Sequence, residues 1–240
     1  MHVTRTGNVD GPAVLLLHGA GVAGWMWEPV VRRLTGLRVS VPDLPGHGAS
    51  ASAPFHGVDA TVGALARLLD RPAVVVGFSW GGQLAVALTA RFPELVAATV
   101  VISSLARPLA LASLVDPLFA ATLPLARSAR FARLQGRALG VPDALLDRYV
   151  ATSVGVDPAA LAGIVAANNR FTIPAGWGEG AGPALLIHGD AEGGAVRTSA
   201  AALRAARPGS RAAVVAGAAH DVPFRAPAWL AAQVQSLAGS

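Results

Sequence analysis

Gly77-Phe78-Ser79-Trp80-Gly81-Gly82 follows the apolar run Ala73-Val74-Val75-Val76 and leads into Gln83-Leu84-Ala85-Val86-Ala87-Leu88. The β-branched run predicts a buried strand and the segment after it a helix. The chain therefore passes from strand to helix through a turn with a glycine two places either side of one serine. A turn this tight strains the serine backbone, and only small neighbours let the chain segments pass each other. The hydroxyl of Ser79 then stands at a helix N-terminus, whose unpaired N–H groups favour developing negative charge. The pattern is that of a nucleophile elbow, G-x-S-x-G.

The segments around this one repeat the rhythm. Val14-Leu15-Leu16-Leu17, Arg38-Val39-Ser40-Val41, Ala98-Thr99-Val100-Val101-Ile102, Ala184-Leu185-Leu186-Ile187 and Ala212-Ala213-Val214-Val215 predict further strands. Helices are expected over 27–34, 60–69, 198–207 and 227–237. Short apolar strands alternating with helices indicate an α/β fold, a mostly parallel sheet with helices on both faces. Chemistry in such sheets gathers at the C-terminal strand ends. Ser79, the His18 loop, Asp43, Gly189-Asp190 and His220 all fall there. Between Leu105 and Gly182 the rhythm breaks: apolar helical segments separated by Pro124, Gly140-Val141-Pro142, Asp157-Pro158 and Pro174 contain no convincing strand. We read 105–181 as a helical lid inserted into a core made of 1–104 and 182–240.

Composition bounds the function. At 240 residues, 53% apolar and 14% charged, the chain suits one folded α/β domain and not a disordered one. The longest uncharged stretch, Pro72 to Ala90, holds the glycines and Ser79, so it reads as strand plus helix and not as a membrane span. The residues after Met1 lack the apolar core of a secretory signal, and the expected location is cytoplasmic. The absence of cysteine removes disulfides and thiolate metal sites. The formal charge is +5, carried by arginine without a single lysine. The arginines are dispersed, unlike the aromatic-flanked basic stripe of a nucleic-acid binder. The one cluster, Arg127, Arg130, Arg133 and Arg137, reads as a solvated helix face. No nucleic-acid and no membrane partner is expected, and the chain is read as a monomer or homodimer.

A serine nucleophile needs a base to take its proton and an acid to orient that base. Of the six histidines, His220 follows the last expected strand in Gly217-Ala218-Ala219-His220-Asp221, on a loop that reaches over the sheet edge, and is the candidate base. His18 is read as support for its own loop and His47 as a turn residue. An oxyanion needs backbone donors aimed at one point. The Trp80 amide, next to the nucleophile, can supply one, and Ala20 in His18-Gly19-Ala20-Gly21 a second. Trp25, Phe119 and Phe131 are candidates for an apolar substrate pocket.

Taken together, His18-Gly19-Ala20-Gly21, Asp43-Leu44-Pro45-Gly46-His47-Gly48, Gly77-Phe78-Ser79-Trp80-Gly81-Gly82, Ile187-His188-Gly189-Asp190 and Gly217-Ala218-Ala219-His220 resemble the α/β-hydrolase superfamily. The likeness is to lid-bearing serine hydrolases of the esterase and proline iminopeptidase-like group. It implies the α/β-hydrolase fold, a Ser–His–acid triad, no metal and no dissociable cofactor. Where the family pattern reads Gly-Asp-x-Asp, with the second Asp as triad acid, this chain has Gly189-Asp190-Ala191-Glu192. Glu192 is thus the expected acid, with an oxygen at hydrogen-bond distance from His220 Nδ1. Asp190 and Asp116 are the alternatives. The expected activity is hydrolysis of a small, largely apolar carboxylic ester or lactone, with thioesters close behind. The same fold running another reaction is the alternative, whether C–C hydrolysis, hydroxynitrile lysis, perhydrolysis or aminopeptidase chemistry. A small-molecule receptor without turnover is the rival from another class.

Overall fold

The four central apolar runs form strands that are almost wholly buried, because helices cover both faces of the sheet they build. The protein is described by a computed structural model that covers residues 1–126 and 128–239. Arg127, the first arginine of the 127–137 cluster, lies outside the described residues.

The chain begins with β1 (Val3–Gly7) and β2 (Ala13–Leu17), then a 3-10 turn, Gly24–Trp27, and α1 (Glu28–Val31). β3 (Arg38–Pro42), α2 (Val58–Ala66), β4 (Ala73–Phe78), α3 (Trp80–Arg91) and β5 (Val96–Ile102) follow. Four helices come next: α4 (Ala112–Ala126), α5 (Ala129–Ala138), α6 (Asp143–Gly155) and α7 (Pro158–Asn169). The chain then closes with β6 (Ala184–Gly189), α8 (Gly194–Ala206), β7 (Arg211–Val215), α9 (Val222–Arg225) and α10 (Pro227–Ala238).

The seven strands lie in the order β1-β3-β2-β4-β5-β6-β7, all parallel except β1, which runs antiparallel to β3. Strand side chains alternate between faces. Val14, Leu16, Val74, Val76, Val100 and Ile102 accordingly join one core cluster with Trp27, Val30 and Leu230 under α1 and α10. Leu15, Leu17 and Val75 join another with Leu65, Leu84 and Leu88 under α2 and α3. Each such side chain, fully buried, contributes roughly 1.5–3 kcal/mol. This is why the strands read as continuous apolar runs.

Two expectations needed revision. β1 went unread because Val3-Thr4-Arg5-Thr6-Gly7 is a mostly exposed edge strand without an apolar run. The helix expected over 27–34 is cut to α1: Trp27 belongs to the 3-10 turn, and the Arg33 and Leu34 amides bond back to Val30 and Val31, tightening the last turn.

Residues 105–182 hold four α-helices and no strand among the described residues. Asp157 caps α7, accepting from the Ala159 and Ala160 amides, with Pro158 at the first helical position. Buried Gln83 on α3 ties the start of this excursion to the end of α7: its side-chain nitrogen donates to the carbonyls of Leu105 (3.1 Å) and Asn168 (3.0 Å).

Candidate active site

β4 is central in the sheet, and its C-terminal end delivers Ser79 to the start of α3. Ser79 has φ 54° and ψ −117°, a left-handed conformation costly for a side-chain-bearing residue. The flanking glycines allow it. A Cβ on Gly77 would stand 2.1 Å from the Gly81 carbonyl oxygen, and one on Gly81 2.3 Å from that of Leu17. Any larger residue at either place would force the β2 end and the turn apart. The turn is pinned from behind by the Ser79 amide on the Ile102 carbonyl (2.8 Å) and by the Ser104 hydroxyl on the Ser79 carbonyl (2.8 Å).

His220 lies beyond β7, with its ring 4.8 Å from the Phe78 ring, centroid to centroid. Its Nδ1 is 2.8 Å from Glu192 Oε1. Glu192 is only 5% exposed, whereas the His220 side chain is 42% exposed, so one partner is locked and the other reaches solvent. The other oxygen, Glu192 Oε2, accepts from the Ser103 hydroxyl (2.8 Å) and the Gly189 amide (2.9 Å). Burial pushes the Glu192 carboxyl up, but hydrogen bonds from His220, Gly189 and Ser103 outweigh it and hold the group below its ordinary value. The carboxylate is therefore charged at neutral pH.

The other candidate acids are engaged elsewhere. Asp190 Oδ1 accepts from the Gly217 amide at 2.8 Å, tying the β6 end to the loop that carries His220. Asp116 on α4 accepts from the Asn169 side chain (2.7 Å) and pairs with Arg170.

The loop after β2 is braced by two buried histidines. His18 Nδ1 donates to the Gly19 carbonyl (2.7 Å), while its Nε2 accepts from the Leu44 amide (2.9 Å). His47 Nδ1 donates to the Pro45 carbonyl (2.9 Å), and its Nε2 accepts from the Gly21 amide (3.0 Å). Both acceptor roles require neutral rings. Burial first, and then the neighbouring His47, lowers the His18 pKa to about 3, and burial also lowers that of His47. His47 is thus more than a turn residue. Ala20, between the two braced positions, packs against the cluster containing Trp80. Among the described residues neither the Ala20 nor the Trp80 amide is taken up by a hydrogen bond.

A cavity of about 340 Å³ opens over Ala20 and Gly21, walled by Phe119, Leu123, Phe131 and Leu161. Trp25 is not among its lining residues. The 3-10 turn sends its side chain into the core, stacked on Phe224 and edge-on to Tyr149, with Nε1 donating to Thr152 Oγ1 (2.9 Å). It fastens α6 to the sheet domain. Among the described residues no group of three or more His, Asp or Glu side chains is placed to hold a metal ion.

Ser103 escaped the sequence reading. It follows β5 with φ 52°, a left-handed turn that aims its hydroxyl at Glu192. The available signal was its place at a C-terminal strand end next to β4. Removing a hydrogen bond to a charged carboxylate costs about 1.5–3 kcal/mol. Ser103→Ala is expected to lower kcat on a small ester roughly tenfold or more and to move the acid limb of the kcat–pH profile upward. The direction follows because the lost donor favoured the charged carboxylate. An unchanged profile would reduce Ser103 to a turn residue.

A family model described as the alpha/beta hydrolase family matches residues 14–233. Lipase LipV of Mycobacterium tuberculosis is 44% identical over 107 residues, 42% of this chain and 41% of that protein. Pimeloyl-[acyl-carrier protein] methyl ester esterase of Nitrosomonas europaea is 36% identical over 105 residues, 43% of this chain and 41% of the other. These matches therefore span about two-fifths of each relative's length. The crystal structure of a hydrolase from Pseudomonas aeruginosa PA01 superposes with a TM-score of 0.84 at 24% identity, covering 99% of this chain and 94% of that one.

Proposed function

The chain belongs to the alpha/beta hydrolase family, and from that premise we propose that it is a serine hydrolase of small, largely apolar carboxylic esters or lactones. The observation that carries the proposal is the buried, charged Glu192 on His220 Nδ1, with the His220 ring against Phe78, the residue before a serine held in a strained turn. A carboxylate there keeps the proton on Nδ1 and leaves Nε2 free to accept the Ser79 proton. In this reading Ser79 Oγ bonds to the acyl carbon while His220 Nε2 takes its proton, and the Ala20 and Trp80 amides hold the oxyanion. Collapse of the tetrahedral species expels the alcohol, which receives the proton from His220. Water, deprotonated by His220, then attacks the acyl-enzyme and frees Ser79. Such hydrogen bonds to the nucleophile commonly tighten only when substrate arrives.

Residues 105–181 act in this proposal as a lid over a core of 1–104 and 182–240, and the cavity beneath α4 and α5 receives the acyl chain. The lipase and esterase names of the partial relatives point the same way. The receptor alternative drew on the glutamate at the acid position; its contact with His220 favours turnover.

A series of p-nitrophenyl esters of increasing acyl length, run beside lactones, thioesters and aminoacyl amides, tests the reading. Turnover of short and medium esters is expected, and absence of turnover on every member of the panel would overturn it. Leu161→Trp, which fills part of the cavity, should lower the ratio of long-chain to acetate turnover by tenfold or more, since each methylene accommodated is worth roughly 1–3 kcal/mol. Unaltered selectivity would make the helical segment packing material only.

A further inference from the structure

α4 is apolar nearly all round, yet only one side of it is covered. Ala112, Asp116, Phe119 and Leu123 face inward, at spacings of three and four. The opposite side shows Leu114 at 66%, Leu118 at 69% and Leu125 at 56% exposure, with Val115 beside them and Leu111, at 68%, just before the helix. A helix hydrophobic on every side belongs in an apolar environment, and a stripe of exposed leucines this long marks an interaction surface.

The charges around the stripe select its partner. Between residues 105 and 142 the sole acid is Asp116, and its carboxylate is turned inward onto Asn169 and Arg170. Arg107, just before α4, and Arg130 and Arg137, seven residues apart on one side of α5, are exposed. The two helices that carry the leucine stripe and its neighbours therefore expose arginines and no acid. A second copy docking through the same face would set these arginines against each other. An anionic lipid surface complements both features, because leucines insert among acyl chains while arginines meet headgroup phosphates.

We propose that α4 and α5 dock the protein onto the surface of a membrane rich in anionic glycerophospholipid, with α4 lying in the interface. No single described helix is long and apolar enough to cross a bilayer, and a helix lying in the interface needs no such length. The sequence led to the expectation of no membrane partner, and this proposal departs from it on the strength of the exposed leucines. Phe131 and Leu139 of the same helical segment are part exposed and line the cavity over Ala20. The inference stands on the surface itself and does not depend on the hydrolase reading.

Co-sedimentation of the full chain with phosphatidylglycerol vesicles, against phosphatidylcholine vesicles, tests it without reference to catalysis. Binding to the anionic vesicles is expected, weakening with salt, and at least tenfold tighter than to the neutral ones. The Leu114→Ser/Leu118→Ser double variant and the Arg130→Glu/Arg137→Glu double variant should each weaken it by about tenfold. Thermal melts would verify that both variants stay folded; all four positions are exposed, so both should. Failure to sediment with anionic vesicles overturns the proposal, as does binding that neither variant changes. A dimer seen in sedimentation velocity, dissolved by Leu114→Ser/Leu118→Ser in a protein that ignores vesicles, would assign the face to self-association and overturn it equally.

Discussion

Ser79→Ala is expected to lower kcat on a p-nitrophenyl ester by three or more orders of magnitude with little change in KM, roughly the effect of deleting a triad member. In the proposed reaction the alcohol at this position bonds to the acyl carbon, so its loss removes a path and not merely a contact. A residual rate above that in water should persist, because the Ala20 and Trp80 amides would still polarise a bound carbonyl. Stability should fall little if at all: alanine removes one oxygen from a half-buried side chain and keeps the backbone as it is. The companion measurement is labelling by a fluorophosphonate, which an activated alkoxide attacks and ordinary serines do not. Mass spectrometry should find the adduct on the peptide carrying Ser79 and nowhere else, in step with loss of activity. An active protein labelled at another serine would remove Ser79 from the mechanism.

How much of this was legible in the sequence depended on whether the decisive contact was local. The Ser79 turn could be read because its constraints lie within a few residues, with Gly77 and Gly81 needed where backbone approaches backbone. The central strands could be read because burial on both faces leaves a continuous aliphatic run. Edge strand β1, half in water, leaves no such mark. Contacts made across the fold were harder. Ser103 reaches Glu192 over 89 positions, and His47 reaches Gly21 over 26, so neither partner announces the other. Glu192 itself came into view only through the spacing after a strand in a known family pattern. Nothing in Gly189-Asp190-Ala191-Glu192 alone says which carboxylate turns inward. Trp25 shows the opposite failure. Its nearness in sequence to the His18 loop suggested a pocket wall, but a short 3-10 turn rotates it into the core. The rotation depends on tertiary packing, which adjacency does not encode.

Glu192→Gln is the second large effect, and its direction follows from the hydrogen bonds on the two carboxylate oxygens. Oε2 accepts from Ser103 and from the Gly189 amide, which cannot turn away. A glutamine at this position would keep its carbonyl oxygen on those donors and present its NH2 to His220. Nδ1 would then have to accept, the ring proton would move to Nε2, and Nε2 could no longer take a proton from Ser79. The analogous change in a related triad costs about four orders of magnitude in kcat, and a loss of about three to four is expected here. Asp190→Asn should stay within about tenfold, because an asparagine oxygen can accept from the Gly217 amide as the carboxylate does. Asp116→Asn, with its partners Asn169 and Arg170 on the helical segment, should leave acetate-ester turnover near that of the parent. The comparison is a single set of kcat values on one short ester, with folding checked by thermal melts. A ranking with Asp190→Asn as the damaging change would transfer the orienting role to Asp190, and damage confined to Asp116→Asn would transfer it to α4. Equal tolerance of all three would mean that His220 needs no carboxylate for what this protein does, which fits a ligand-binding site without turnover and not a triad.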